Sequence, residues 1–194
     1  MRDVNIVRWL ASVLLLIGCA GDSARRPAER PVKYELGRAP TSAEIASLDI
    51  DVNPAGAGLP AGQGTAVVGA TVYAQKCALC HGEKGEGKEK NPRLVGRDPA
   101  PGFVFASDFK APKTVGNYWP YATTLYDYIR RTMPFNAPGS LSADETYAVV
   151  AWMLAENGII TSTRTIDAKT LADVKMPAQA HFVPDNRTGG KTIR

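Results

Sequence analysis

The stretch Cys77-Ala78-Leu79-Cys80-His81 decides the fold, because two cysteines three positions apart are followed directly by a histidine. This pattern is the attachment sequence for haem c. Thiols at this spacing reach the two vinyl groups of one porphyrin and form thioethers with them, and the adjacent histidine then faces the iron. We therefore predict one covalently bound haem c, held by Cys77 and Cys80, with His81 as an axial ligand of the iron.

The cysteine pair has three alternative interpretations besides haem attachment. A thioredoxin-type redox pair requires a strand followed by a helix, and no strand pattern precedes Cys77. A zinc site requires four ligands, and the other histidine, His181, lies far along the chain without a second cysteine pair. The third alternative is a chance match of the motif.

Composition sets the broad class of the protein. The chain has 194 residues, of which 44% are apolar and 22% charged, and its formal net charge is +4. These values indicate one globular domain and exclude a polytopic membrane protein and a fully disordered chain. The charge is too small to indicate a nucleic-acid partner without a basic cluster. Three cysteines are too few for a disulfide scaffold.

The sequence around the motif divides into a leader, a helical domain and two arms. Residues 1–18 combine a basic start with a short apolar run, which is typical of a secretory signal and too short to span a bilayer permanently. Residues 19–64 are rich in proline, glycine and arginine and are predicted to form an N-terminal arm. We place the haem domain at residues 65–160 and a polar C-terminal arm at residues 161–194.

Cys19 indicates that the leader is the signal sequence of a lipoprotein. It follows Leu16-Ile17-Gly18, and these four residues resemble the lipobox of bacterial lipoproteins. We predict an exported, periplasmic protein that is cleaved before Cys19, lipidated there and anchored to a membrane. Several acyl chains suffice for such an anchor, because each buried CH₂ contributes about 0.8 kcal/mol. A plain signal peptide cut nearby is the alternative.

Helical patterns lie on both sides of a long loop. A helix is predicted over residues 65–76, and capping-box patterns place further helix starts at Thr41, Thr124 and Ser142. Residues 82–123 contain no long periodic segment, and no convincing strand is found in the sequence. A loop of this length needs support besides secondary structure, which a haem at the centre of the core provides. The predicted fold is all-α with long loops and extended N- and C-terminal arms.

Four side chains are candidates for the opposite face of the iron: Met133, Met153, Met176 and His181. Met153 lies within a helical apolar stripe, where methionine usually fills a core, and His181 lies in the polar arm. Met133 and Met176 both precede a proline, so this dipeptide does not distinguish them. We predict Met133, which is nearer in sequence to the haem-binding segment, and retain Met176 and His181 as alternatives. Methionine opposite histidine raises the reduction potential relative to two nitrogen ligands.

Further residues are predicted to surround the haem. An axial histidine usually donates its free ring N–H to a carbonyl, which fixes the ring orientation. We predict that Pro92 provides this carbonyl and that Leu94 packs on the porphyrin. Tyr118 and Trp119, which form an aromatic cluster with Tyr121, are predicted to wall the porphyrin, and ordinary core packing accounts for them equally well.

The order of these features resembles that of class I cytochromes c. The attachment motif, the Pro92-x-Leu94 segment, the Met133-Pro134 pair and the capped final helix follow one another as in that family. The resemblance is closer to the cytochrome subunit of the sulfane and sulfite dehydrogenases of sulfur-oxidising bacteria. Four blocks carry it: Leu48–Val52, Gly58–Thr65, Gly116–Thr124 and Arg130–Leu141.

This resemblance implies a role within a complex. In that family the cytochrome accepts electrons from a molybdenum-cofactor subunit that oxidises a sulfur compound, and a downstream cytochrome or oxidase receives them. Some members carry two haems, whereas this chain has one attachment motif and resembles the single-haem form. The lipobox is a further departure from the family pattern.

The expected function is the transfer of single electrons, without an enzymatic activity of the chain itself. No arrangement of histidine and carboxylate residues in the sequence indicates acid–base catalysis. The alternatives are a catalytic haem protein, such as a peroxidase or a thiosulfate-oxidising cytochrome, and a gas-binding haem sensor. Both alternatives need an open coordination position on the iron.

Overall fold

Helices dominate the secondary structure of the computed structural model, which describes residues 36–96, 103–105, 110–183 and 186. The α-helices of the described residues are α1 (Ser42–Leu48), α2 (Ala66–Lys76), α3 (Ala78–His81), α4 (Val115–Tyr118), α5 (Ala122–Thr132) and α6 (Ala143–Glu156). A 3₁₀ helix covers Pro177–His181, and two short strands are β1 (Gln63–Gly64) and β2 (Ile166–Asp167). The predicted all-α class is therefore confirmed.

The chain divides into two units. The first covers Met1–Thr41, and its described residues, 36–41, are exposed. The second covers Ser42–Arg194 and contains all the elements named above. The predicted signal peptide and Cys19 lie outside the described residues. No helix in the part of the chain that the structure describes is long and apolar enough to cross a membrane.

Helices α2 and α6 cross at very short range and form the centre of the core. A Cβ atom placed on Gly69 of α2 would lie 1.9 Å from the carbonyl oxygen of Ala148 in α6. Glycine is therefore required at this position for the two backbones to approach. Near the crossing, the Tyr73 ring stacks on Trp152 with ring centroids 3.7 Å apart.

The predicted starts of α2 and α6 are confirmed. The Thr65 side chain accepts a hydrogen bond from the Val68 N–H at the start of α2. Ser142 and Glu145 form the predicted capping box at the start of α6. Helix α6 then buries the predicted apolar stripe completely: Tyr147, Val150, Ala151 and Leu154 are each 0% exposed.

The predicted capping box at Thr124 is wrong. Helix α5 begins two residues earlier, and its N-cap, Tyr121, makes no side-chain capping bond. The Thr124 hydroxyl lies within the first turn, where it donates to the Tyr121 carbonyl at 3.0 Å and accepts from the Trp119 Nε1–H at 3.0 Å. The Thr124 side chain does not cap α5, because Thr124 already lies inside the helix. The Asp127 carboxylate, its predicted partner in the capping box, accepts a hydrogen bond from the Val52 N–H at 2.9 Å.

Described parts of both predicted arms pack on these helices. Strands β1 and β2 pair antiparallel, with Gly64 opposite Ile166, although the sequence shows no strand pattern. In the C-terminal arm, Ile166 and Leu171 are fully buried and Met176 is 4% exposed, so apolar side chains anchor the described part of this arm in the hydrophobic core. The described parts of the two arms therefore share one hydrophobic core with residues 65–160, from which the predicted boundaries at 64/65 and 160/161 separate them.

Candidate haem site

The attachment motif lies at the end of the central helix. Helix α2 ends at Lys76, and α3 carries the rest of the motif after an interruption at Cys77. The N–H groups of Cys80 and His81 both donate to the Cys77 carbonyl, at 3.1 and 3.0 Å, so the motif forms one compact turn. Both motif thiols are free, that of Cys77 half-buried and that of Cys80 exposed. The turn therefore presents two unbridged thiols next to one imidazole.

Burial controls the ionisation of the first thiol. Burial raises the pKa of the Cys77 thiol to about 11, against a smaller opposing effect of the Lys76 ammonium group. In the chain without haem this thiol is therefore protonated at neutral pH. A neutral thiol is the weaker nucleophile and metal ligand, so Cys77 lacks the features of a reactive redox cysteine.

The predicted hydrogen bond between His81 and Pro92 is present. The Nδ1 atom of His81 lies 2.9 Å from the Pro92 carbonyl oxygen. With the proton on Nδ1 donated to this oxygen, Nε2 is left as the nitrogen that can bind a metal. The contact orients the half-buried ring of His81 and determines which of its two nitrogens is available.

Tyr73 supports the same turn and was not predicted as a site residue. Its hydroxyl donates to the carbonyl of Gly82, directly after His81, at 2.7 Å. The ring is 1% exposed, and burial raises the pKa of Tyr73 strongly, so the hydroxyl stays protonated and remains a donor. Its position one turn before Cys77 on the buried face of α2 is the signal that would have identified it.

Gly82 makes the tight exit from this turn possible. Its φ of 83° lies in the left-handed region, which only glycine adopts without strain. The chain then returns so that the N–H groups of Leu94 and Val95 both donate to the Gly85 carbonyl, at 2.8 and 3.0 Å. This return brings Pro92 alongside His81.

The remaining predicted wall residues lie at the margin of the core. Leu94, Trp119 and Met133 are half-buried and pack against the core cluster, as Cys77 does. The Trp119 ring contacts Tyr128, with ring centroids 5.5 Å apart. Partly exposed apolar side chains of this kind provide contact surface for a flat apolar group that would complete their burial.

Tyr118, the other predicted wall residue, is half-buried at the end of α4 and contacts the long loop and the C-terminal arm. The Lys113 ammonium nitrogen lies 4.7 Å from the centroid of its ring. On the other side, the ring is tilted against Phe182 of the C-terminal arm, 5.9 Å between centroids. Tyr118 therefore joins the long loop to the C-terminal arm.

The candidates for the second axial ligand occupy different environments. Met133 caps the C-terminal end of α5 and is half-buried. Met153 and Met176 are 5% and 4% exposed and belong to the core cluster. The exposed ring of His181 stacks on Phe105, with centroids 3.9 Å apart. Of the three methionines, Met133 is therefore the one whose thioether is not already enclosed by protein.

The donor set fits haem c. Two free thiols for the vinyl groups, one imidazole with Nδ1 already engaged and a margin of half-buried apolar side chains are present together. Cys77, Cys80 and His81 would hold the group, and Leu94 and Trp119 would contribute contact surface.

Comparisons with known proteins identify the family that this chain resembles. The family model described as cytochrome C oxidase, cbb3-type, subunit III matches residues 64–153, a range that contains every predicted haem contact. Among solved structures, a chain of the crystal structure of the sulfane dehydrogenase SoxCD from Paracoccus pantotrophus is 38% identical, with a TM-score of 0.69. The match covers 80% of this chain and 74% of that chain. The comparison with curated proteins found no match.

Proposed function

We propose that this chain, which belongs to the class I cytochrome c family and binds one haem c covalently, transfers single electrons and catalyses no reaction by itself. The bound haem supplies an iron that alternates between Fe(III) and Fe(II). The observation that carries the proposal is the His81 Nδ1 contact with the Pro92 carbonyl at 2.9 Å, beside two free thiols.

The chain's own residues have distinct roles in this proposal. Cys77 and Cys80 would hold the porphyrin, and His81 would bind the iron through Nε2. The Pro92 carbonyl accepts the Nδ1 proton, which keeps the imidazole oriented and makes it a stronger donor to the metal. Met133 would supply a second protein ligand to the iron. With two protein ligands the iron would have no position open to a substrate, which would suit electron transfer and oppose ligand chemistry.

The ligand choice is tested by a pair of matched variants. In the oxidised protein, methionine bound to iron gives a near-infrared charge-transfer band. We expect Met133→Ala to lose this band and Met176→Ala to keep it. Loss of the band in Met176→Ala, with retention in Met133→Ala, would show that Met176 is the ligand.

Ligand binding separates electron transfer from the alternative functions. We expect the reduced wild-type protein to bind carbon monoxide slowly, because Met133 must first dissociate, and Met133→Ala to bind it rapidly. Rapid binding to the wild type would contradict the proposal. That result would favour a gas sensor or a catalytic haem protein such as a peroxidase or thiosulfate-oxidising cytochrome.

The proposed electron donor is a molybdenum-cofactor dehydrogenase subunit that oxidises a sulfur compound. The support is the 38% identity to a chain of the sulfane dehydrogenase SoxCD. The proposed acceptor is a downstream cytochrome or oxidase. Purification of the native complex tests the donor: we expect stoichiometric molybdenum to accompany the haem, and its absence from every haem fraction would contradict this assignment.

We further propose export to the periplasm and a lipid anchor at Cys19. The support is the Leu16-Ile17-Gly18-Cys19 sequence at the end of the signal-like segment. We expect the wild-type protein to partition with membranes and Cys19→Ser to be released into the soluble periplasmic fraction. Equal partition of both forms would favour a plain signal peptide.

A further inference from the structure

The side chain of Asn157 makes an unusually complete set of buried hydrogen bonds. It is 4% exposed and lies at the C-cap of α6. Its Oδ1 atom accepts from the N–H groups of Gly96 and Gly116, at 2.9 and 3.1 Å. Its Nδ2 group donates to the carbonyls of Leu94 and Met153, at 3.2 and 2.8 Å. The amide therefore uses its full capacity of two donated and two accepted bonds.

These bonds hold one side of the segment that follows Pro92. Leu94 and Gly96 are hydrogen-bonded to Asn157, and the N–H groups of Leu94 and Val95 also donate to the Gly85 carbonyl. Residues 94–96 are therefore hydrogen-bonded both to the end of α6 and to the loop after His81. A single residue, Arg93, separates Pro92 from residues 94–96.

The close packing around Asn157 allows little adjustment. A Cβ atom on Gly116 would lie 2.3 Å from the Gly96 carbonyl oxygen and 2.8 Å from Asn157 Oδ1. The Gly96 carbonyl also accepts from the Thr114 hydroxyl at 3.1 Å. Loss of the Asn157 amide would leave the N–H groups of Gly96 and Gly116 without their acceptor. The Leu94 and Met153 carbonyls would keep the bonds that they accept from backbone N–H groups, so the Gly96 end of the segment is the part expected to shift toward new partners.

We propose that Asn157 is a positioning residue for the axial ligand His81, acting through residues 94–96 and the Pro92 carbonyl. This inference rests on the proposed role of His81 as the iron ligand. The amide keeps the Pro92 oxygen at hydrogen-bonding distance from Nδ1, so the strength of that bond depends on a residue 76 positions away in the sequence. Residues at the end of the last long helix thereby influence the iron.

The test measures the His81 Nδ1–H group directly in the haem-bound protein. Nitrogen-15 labelling of histidine gives the exchange rate of this proton with water in the reduced state. We expect exchange about tenfold faster in Asn157→Ala than in wild type, which corresponds to weakening of the hydrogen bond by about 1.4 kcal/mol. The reduction potential is expected to rise, because a weaker Nδ1–H bond makes the imidazole a poorer donor to the iron.

Thr123→Val is the matched control. Thr123 is 1% exposed in α5, and its hydroxyl donates to the Pro54 carbonyl at 3.0 Å, far in sequence from residues 92–96. This variant is expected to lose stability while keeping the His81 exchange rate within about twofold of wild type. If Asn157→Ala does not fold, Asn157→Leu replaces it, because leucine has a similar size, adds no charge and loses all four side-chain hydrogen bonds.

An exchange rate in the Asn157 variant less than about fivefold above that of Thr123→Val would overturn the proposal. A reduction potential at or below that of wild type would also overturn it. These results differ from a failure of the proposed function, in which the wild-type protein itself would lack covalent haem in a pyridine haemochrome assay.

Discussion

At the scale of single residues, polar groups buried next to the haem-binding turn organise it. Tyr73 holds the Gly82 carbonyl, and Asn157 holds residues 94–96. Each of them adds hydrogen bonds to backbone groups of the loops around the attachment motif. A buried carbonyl or N–H without a partner costs about 1–3 kcal/mol, so these side chains are needed for the turn to keep its shape.

Tyr73→Phe tests the first of these contacts. It removes one hydroxyl and leaves the Gly82 carbonyl without this donor, while the ring keeps its stacking on Trp152. We expect a loss of about 1–2 kcal/mol in the free energy of unfolding, measured by denaturant titration of the haem protein. Tyr121→Phe, at an exposed position, is the control and should change stability by less than about 0.5 kcal/mol.

Asp127 makes stability depend on pH. Burial alone would raise its pKa, but hydrogen bonds from Arg131 and from the Val52 N–H outweigh burial and lower it. The carboxylate therefore stabilises the fold above its unfolded-chain pKa of about 3.9, and this contribution is lost as the pH falls through the folded-state pKa.

Asp127→Asn should therefore cost more at neutral pH than in acid. We expect a loss of about 1–3 kcal/mol in unfolding free energy at pH 7, because the hydrogen bonds from the Arg131 guanidinium lose their charged acceptor. The difference from wild type should shrink steadily below pH of about 4. Denaturant titrations of both proteins across this range measure it, and a constant difference would contradict the role assigned to the carboxylate.

At the scale of secondary-structure elements, the contact between α2 and α6 positions the attachment motif. Cys77 follows the last residue of α2 directly, so the angle at which this helix crosses α6 sets the position of both thiols. Gly69 permits that crossing because no Cβ atom intervenes between the two backbones. The Lys76–Glu145 ion pair, 2.7 Å between Nζ and Oε1, joins the same two helices near the motif.

Gly69→Ala should disrupt this crossing. Alanine gains about 1 kcal/mol in helix propensity over glycine, but its methyl group would overlap the Ala148 carbonyl and force the helices apart. We expect a net loss of about 1–3 kcal/mol in unfolding free energy, with a lower yield of protein bearing covalent haem. Thr71→Ala, at an exposed position of the same helix, is expected to stay within about 0.5 kcal/mol of wild type.

At the scale of the whole molecule, the chain after α6 completes the hydrophobic core. Ile166, Leu171, Val174 and Met176 are all at most 7% exposed, and Phe182, at the end of the 3₁₀ helix that follows them, contacts Tyr118 of α4. This part of the C-terminal arm is therefore occupied within the protein.

Truncation after residue 160 should therefore destabilise the protein strongly. Removing four buried aliphatic side chains costs about 1.5–3 kcal/mol for each, so we expect a loss of at least about 6 kcal/mol. Truncation after Val183 leaves these residues in place and should retain the wild-type denaturation midpoint. If the truncated protein cannot be isolated, Leu171→Ala tests the packing of the C-terminal arm on the core. We expect this variant to lose about 2–5 kcal/mol in unfolding free energy.

Local patterns allowed much of the fold to be predicted. The helix over residues 65–76 and the capping box at Ser142 are encoded by residues within one or two turns, and both are present. The start of α5 was misplaced because threonine and aspartate at capping spacing also occur inside helices. Helix α4 has a capping box, Thr114 with Asn117, that was not recognised in the long loop.

The haem attachment motif, the all-α class and the hydrogen bond between His81 and Pro92 were predictable from residue types within short stretches of the chain. The hydrogen bonds from Asn157 to residues 94–96, the pairing of β1 with β2 and the burial of Met176 became known from the folded structure. These contacts join residues far apart in the chain, and the free energy that selects them comes from burying groups together. A local sequence pattern does not show which distant residue will be the partner, because the two residues come into contact only when the chain folds.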